Sequence, residues 1–302
     1  MQAAPDDPVS VFVSAPDGLR LHVRCYGRAG TDAPAVVCLP GLARTAEDFD
    51  PLARALAGDP ARPRRVIALD YRGRGLSEYD RDPRNYTLAT ELADLDAVMI
   101  ALAALPAVLV GTSRGGILAM LLSLLRPTAL AGAVLNDIGP VIEPKGLIRI
   151  KSYVGRLPQP RTLEEGAEIL RRLFSAQFPK LTRDDWLAAA RRGFREADGR
   201  LVPTYDVRLA RALASVAPER PLPTLWKEFD ALARVPVMVV RGENSDILSA
   251  ETVAAMARRR PGLEVLAVPD QGHAPLLVEG EVIARIADFI ARCEAAQATA
   301  VP

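Results

Sequence analysis

The sequence predicts an α/β protein: a mostly parallel, open sheet with helices on both faces, plus an inserted all-helical segment. Three observations carry this. Short valine-rich apolar runs recur along the chain and suit strands buried on both faces. Stretches with helical apolar periodicity separate them, and strand–helix alternation is the pattern of an open α/β sheet. That alternation stops between residues 141 and 230, where helical stretches follow one another, and then resumes.

Taken in order, residues 9–13 and 19–26 alternate in polarity across Ala15-Pro16-Asp17-Gly18, a turn sequence, and read as an antiparallel pair. Residues 35–39, 65–69, 107–110, 131–135, 236–240 and 263–268 read as the buried strands. Helical patterns occupy 46–57, 88–104, 115–125, 250–259 and 282–293. Within the interruption, helices are expected at 163–174, 182–197, 206–216 and 225–232, flanked by Pro158 and Pro160 and by Pro218, Pro221 and Pro223. The division is therefore a core from 1–140 and 231–302, with an insertion at 141–230.

Composition excludes several classes. The 38 basic and 37 acidic residues balance to +1, which argues against a nucleic-acid partner. Hydrophobic residues make up 49%, enough for a sizeable core and too many for a disordered chain. Cys25, Cys38 and Cys293 are odd in number and lack metal spacing. They suggest neither a disulfide framework nor a zinc site, and favour a reducing, cytoplasmic setting. The first eight residues carry no basic stretch followed by an apolar one, so no signal peptide is expected. The apolar runs at 97–110 and 117–125 are too short to span a bilayer, so no membrane association is expected either.

The chemistry is concentrated in Gly111-Thr112-Ser113-Arg114-Gly115-Gly116, between a predicted strand and a predicted helix. Two glycines flanking one serine allow a tight turn that lifts its hydroxyl over the sheet end, with a helix N-terminus beneath it. A nucleophilic serine needs a base, and the chain has two histidines. His22 shares the polar face of its strand with Arg20 and Arg24 and reads as solvated. His273, in the loop Asp270-Gln271-Gly272-His273-Ala274-Pro275, is the candidate base. A carboxylate must hold the imidazole. Asp246, past strand 236–240, is favoured; Asp137, past strand 131–135, is the alternative, and Glu243 a third. The backbone N–H groups of Leu42, in Leu39-Pro40-Gly41-Leu42, and of Arg114 would form the oxyanion hole.

These residues, over most of the chain, resemble the α/β-hydrolase fold superfamily. The resemblance includes the serine turn, the oxyanion loop at Gly41 and Leu42, and Asp70-Tyr71-Arg72-Gly73-Arg74-Gly75-Leu76-Ser77, which looks like the D-x-R-G-x-G-x-S turn of that family. Pro40 departs from the histidine that many members carry there. The resemblance implies that the insertion is a lid and that the order Ser113, Asp246, His273 is the family's triad order. It further implies a metal-free, cofactor-free hydrolase of a small-molecule carboxylic ester or lactone, similar to small bacterial esterases and lactonases. A C–C bond hydrolase using the same triad is the alternative, and a haloperoxidase, an acyltransferase or a non-catalytic receptor are further possibilities. Serine at the nucleophile argues against dehalogenases and epoxide hydrolases, and Ala274 weakens the C–C reading.

Substrate charge has a sequence signal too. From Lys145 to Arg220 there are 16 Lys or Arg against 9 Asp or Glu, a local +7. With Arg44 and Arg114 near the pocket mouth, these would favour an anionic substrate. The favoured reading of Arg171-Arg172 and Arg191-Arg192 is nevertheless the wet faces of amphipathic helices, where exposed arginine is ordinary.

Overall fold

The computed structural model describes residues 7–28, 33–214, 217 and 222–300. The N-terminal eight-residue reading up to residue 6, Pro218, Pro221, Arg220 and the end of the helix expected at 206–216 lie outside the described residues. The strands in chain order are β1 (Val9–Ser14), β2 (Arg20–Tyr26), β3 (Ala35–Leu39), β4 (Val66–Leu69), β5 (Ala107–Thr112), β6 (Leu130–Asn136), β7 (Phe194–Ala197), β8 (Arg200–Pro203), β9 (Val237–Gly242) and β10 (Glu264–Val268). Eight of them form one sheet in the order β1-β2-β4-β3-β5-β6-β9-β10. Only β2 runs against its neighbours β1 and β4; every other pairing is parallel.

Burial follows from position in the sheet. Every residue of β3, β4 and β6 is buried, as apolar runs covered on both faces require. The edge strands β1 and β10 alternate instead, with one face wet. Helix α1 (Asp50–Ala57) and α9 (Gly280–Ala300) cover one face, with Leu52, Leu56, Ile286, Phe289 and Ile290 buried against it. Helices α2 (Leu88–Ala101), α3 (Arg114–Leu125) and α8 (Ala250–Arg259) cover the other, through Leu95, Val98, Leu118, Leu122 and Met256.

The insertion lies between β6 and β9, as expected, but it is not all-helical. It holds α4 (Pro144–Tyr153), α5 (Leu163–Phe174), α6 (Arg183–Gly193), the hairpin β7–β8, a 3-10 turn at Val207–Leu213 and α7 (Trp226–Ala231). The helix expected to run to residue 197 ends at Gly193, because Asp198 and Gly199 form a tight turn with φ of 52° and 71°. Asp-Gly is a strong hairpin signal, and it overrides the helical periodicity before it. Ala167, Leu170, Phe178, Trp186, Ala190 and Phe194 give the insertion its own small core. No helix among the described residues is long and apolar enough to cross a membrane.

Sheet order fixes where a site can form. From β3 the chain crosses to β4 on one side, then returns to β5 on the other. Connections that diverge in this way open a crevice at the carboxyl ends of the strands. The loop after β3 and the turn after β5 meet there. Their approach is so close that a Cβ on Gly115 would overlap the Leu39 carbonyl, and one on Gly111 would lie 2.5 Å from the Gly115 carbonyl carbon. Gly115→Ala is therefore expected to destabilise the protein by about 3 kcal/mol or more, at the upper end of overpacking costs. Urea unfolding monitored by far-UV circular dichroism would measure it.

Candidate active site

Ser113 sits between β5 and α3 with φ 51° and ψ −111°. A non-glycine residue in this region stores about 1–3 kcal/mol of strain, which the surrounding structure must hold. The Ser113 N–H donates to the Asn136 carbonyl at 2.9 Å, and the Ser113 carbonyl accepts from the Gly116 N–H at 2.9 Å. The strained turn is thus clamped at both ends, and its hydroxyl faces the crevice.

His273 comes from the loop after β10 and meets Ser113, as the sequence suggested. Its Nε2 lies 2.9 Å from Ser113 Oγ. Its Nδ1 lies 2.8 Å from an Asp137 carboxylate oxygen, with both side chains almost wholly buried. The carboxylate beside the imidazole is therefore Asp137, and the preference for Asp246 is corrected. The reason is strand order. β6 lies next to β5, and Thr112 pairs with Asn136, so the residue after β6 is one strand spacing from Ser113. Asp246 follows β9, one strand further out, and its carboxylate is held by Arg149 of α4 at 2.6 and 2.8 Å. Burial, the largest single influence, pushes the Asp246 carboxyl up, but the hydrogen bonds and charge of Arg149, with smaller contributions from Gln177 and His273, together leave its pKa below the ordinary value. Glu243 is also away from the imidazole: its N–H pairs with the Val268 carbonyl and its side chain is exposed.

Further groups orient Asp137, and sequence reasoning missed them. The Gly242 N–H donates to one carboxylate oxygen at 2.9 Å, and the Ser245 hydroxyl donates to the other at 2.5 Å. Asn136 donates to the Pro275 carbonyl at 2.9 Å and to Thr112 at 3.0 Å, tying the histidine loop to the sheet. Only the spatial adjacency of β6 and β9 could have flagged Ser245, and no local motif carries that.

Leu42 follows β3 and lines the same cavity as Ser113, and Arg114 is the first residue of α3, whose N–H is unpaired within the helix. Arg74 holds the Leu42 peptide in place, its Nε donating to the Leu42 carbonyl at 2.8 Å. Arg74 is fully buried and pairs at 2.7 Å with the fully buried Glu91. The Arg114 side chain pairs with the same Glu91 and is absent from the cavity wall, so its expected role in substrate binding is corrected. The Asp70–Ser77 segment is a structural turn under this loop. Arg72 within it pairs with Asp94, Asp80 and Asp17 at 2.7, 2.6 and 2.8 Å.

His22 is not solvated. The 70–78 turn packs along β2 and buries it, with Nδ1 2.7 Å from Asp70 and Nε2 2.9 Å from Ser10 Oγ. The result is a second Ser-His-Asp chain. Ser10, however, lies in a regular edge strand, takes no left-handed conformation and does not line the cavity.

The cavity over Ser113 and His273 measures about 190 Å³. The insertion roofs it with Leu170, Phe178, Trp186 and Phe194, while Arg44, Asp48 and Arg192 supply charge at its wall. Arg44 lines the same cavity as Ser113. No cluster of three or more His, Cys, Asp or Glu side chains suited to a metal occurs among the described residues.

A sheet of this order, with a serine turn after β5 and a histidine after the last strand, defines a hydrolase architecture. The chain belongs to the alpha/beta hydrolase family, whose model matches residues 36–286. It is 36% identical over 287 residues to the 3-hydroxybutyrate-oligomer hydrolase of Cupriavidus necator, covering 92% of this chain and 96% of that protein. It is 28% identical over 273 residues to the 2-(acetamidomethylene)succinate hydrolase of Mesorhizobium japonicum, covering 90% and 92%. A crystal structure of an alpha/beta hydrolase from Novosphingobium aromaticivorans superposes with a TM-score of 0.88 at 41% identity, over 95% of this chain and 99% of that one.

The two aspartates are expected to separate cleanly. Asp137→Asn should lower kcat about 10⁴-fold, by removing the charge and the acceptor that fix the imidazole tautomer. Asp246→Asn should retain most of kcat and instead lose about 1–3 kcal/mol of stability at neutral pH, by breaking the Arg149 pair. The Asp246 carboxyl is depressed on folding. Its stabilisation is therefore complete above the ordinary carboxylate pKa and is lost as pH falls through the folded value. The stability gap between wild type and Asp246→Asn should accordingly close in acid, which urea titrations at several pH values would show.

Proposed function

We propose that this chain is a serine hydrolase cleaving a carboxylic ester or lactone through an acyl-enzyme on Ser113. One observation carries the reading: the hydrogen-bonded chain Ser113–His273–Asp137, seated on a strained turn at the floor of an apolar cavity. With Asp137 accepting from Nδ1–H, the His273 Nε2 is left as an acceptor for the serine proton. Ser113 Oγ then attacks the ester carbonyl, His273 takes its proton, and the oxyanion forms against the Leu42 and Arg114 N–H groups. His273 returns the proton to the leaving alkoxide. Water, deprotonated by His273, then attacks the acyl carbonyl, releasing the acid and regenerating Ser113.

The insertion serves as a lid in this scheme, since its apolar residues roof the nucleophile and would keep bulk water from the oxyanion. An ester is further supported by the Cupriavidus relative, because a hydroxybutyrate oligomer is joined by hydroxyl-to-carboxyl esters.

Ser113→Ala is expected to lower kcat by roughly a thousand-fold or more while leaving the thermal unfolding midpoint near wild type. A fluorophosphonate should label wild type at Ser113 and leave Ser10 unmodified, as peptide mass mapping would report. Undiminished ester turnover by Ser113→Ala would overturn the proposal.

A further inference from the structure

We infer that Arg192, beside Arg44 at the cavity wall, binds a remote carboxylate of the substrate, so that the ester cleaved at Ser113 is anionic. This deepens the reading above and rests on it for the identity of the scissile bond, but not for the binding.

The argument is one of unmatched charge. Among the described residues, three ionic side chains other than His273 line the cavity: Arg44, Asp48 and Arg192. Arg44 engages both Asp48 oxygens, through Nε and Nη2 at 2.5 Å each, a two-pronged pairing. Arg192 approaches the same carboxylate with its Nε at 3.4 Å, and that buried Nε completes no hydrogen bond. Two guanidinium groups thus share one carboxylate already committed to the first. An Arg side chain, always charged and only 23% exposed, is costly to hold in this way unless a second anion completes it.

The placement of Arg192 separates it from the other insertion cations. Arg171 and Arg172 are exposed and pair with Glu168 on their own helix; they are the wet surface the sequence allowed for. Arg191 is also exposed, whereas Arg192, the next residue, turns into the cavity wall. The loop after β3 brings Arg44 into the same wall: a Cβ on Gly41 would lie 3.4 Å from Arg44 Cγ and 3.9 Å from Ser113 Cβ. The cationic wall and the nucleophile therefore belong to one chamber. Its remaining lining is mainly aliphatic and aromatic, including Leu157, Leu170, Phe174 and Leu181. The substrate class that fits has a short apolar body, an ester at Ser113 and a free carboxylate at the far end.

Two measurements test this. The first compares kcat/KM for p-nitrophenyl hydrogen glutarate with its methyl-capped neutral counterpart. Wild type should favour the acid, and Arg192→Gln should reduce the acid-to-neutral ratio roughly 10- to 100-fold, the range of one charge-assisted hydrogen-bonded pair. Arg191→Gln, on the exposed neighbour, should leave the ratio and both rates unchanged. The second needs no hydrolysis: calorimetric binding of phenylbutyrate against phenylbutyramide, which differ only in charge at the far end. Wild type should bind the acid at least about ten-fold more tightly, and Arg192→Gln should erase the difference. Equal rates for both esters together with equal binding of acid and amide by wild type would overturn the carboxylate subsite and leave the serine-hydrolase reading standing. Preferential, Arg192-dependent binding of the acid without turnover of either ester would overturn the hydrolase reading and uphold the subsite.

Discussion

The close approach of β3, β5 and α3 around Ser113 is the constraint on which the site depends. Helix α3 can start directly beneath Ser113 only because Gly111 and Gly115 present no side chain where strand, helix and the Leu39 carbonyl meet. That contact forces the left-handed turn at Ser113, aims its hydroxyl out of the sheet and leaves the first N–H of the helix facing the same way. It also brings the loop after β3 alongside Ser113. The sheet around it is buried on both faces, so this geometry rests on a rigid floor.

Having two Ser-His-Asp chains in one molecule shows what the residue types alone do not confer. Ser10–His22–Asp70 has distances as short as Ser113–His273–Asp137. Its histidine serves the fold, joining the edge of the sheet to the Asp70 turn, while the other Asp70 oxygen accepts the Ala46 N–H. What it lacks is a strained turn lifting the serine and a cavity above it. Geometry around the nucleophile distinguishes the two, not the hydrogen bonds between them.

Buried ion pairs near the loop after β3 have a comparable positioning role. Arg74 links Glu91 on α2 to the Leu42 carbonyl, and Arg72 gathers Asp94, Asp80 and Asp17 from three separate segments. Such pairs contribute little net stability once desolvation is counted. Their value here is registry: Arg74 ties the loop after β3 to α2, and Arg72 fixes the 70–78 turn that carries Arg74.

Much of this was determined by the sequence itself. Valine runs and helical periodicity are local properties, so strand and helix positions were legible, and glycine spacing around Ser113 marked the tight turn between β5 and α3. With only two histidines, His273 followed from its loop. Tertiary structure decided the rest. Asp137 rather than Asp246 meets His273 because β6, not β9, adjoins β5, and strand order is a non-local outcome that no window of sequence contains. His22 looked solvated because alternation describes a strand's faces, not what packs over them; the 70–78 turn covers that face. Arg191 and Arg192 are identical as letters, and only the seating of the insertion on the sheet turns one to solvent and the other to the cavity. Side-chain type and period are set along the chain, whereas neighbours, burial and charge matching are set by how distant segments pack.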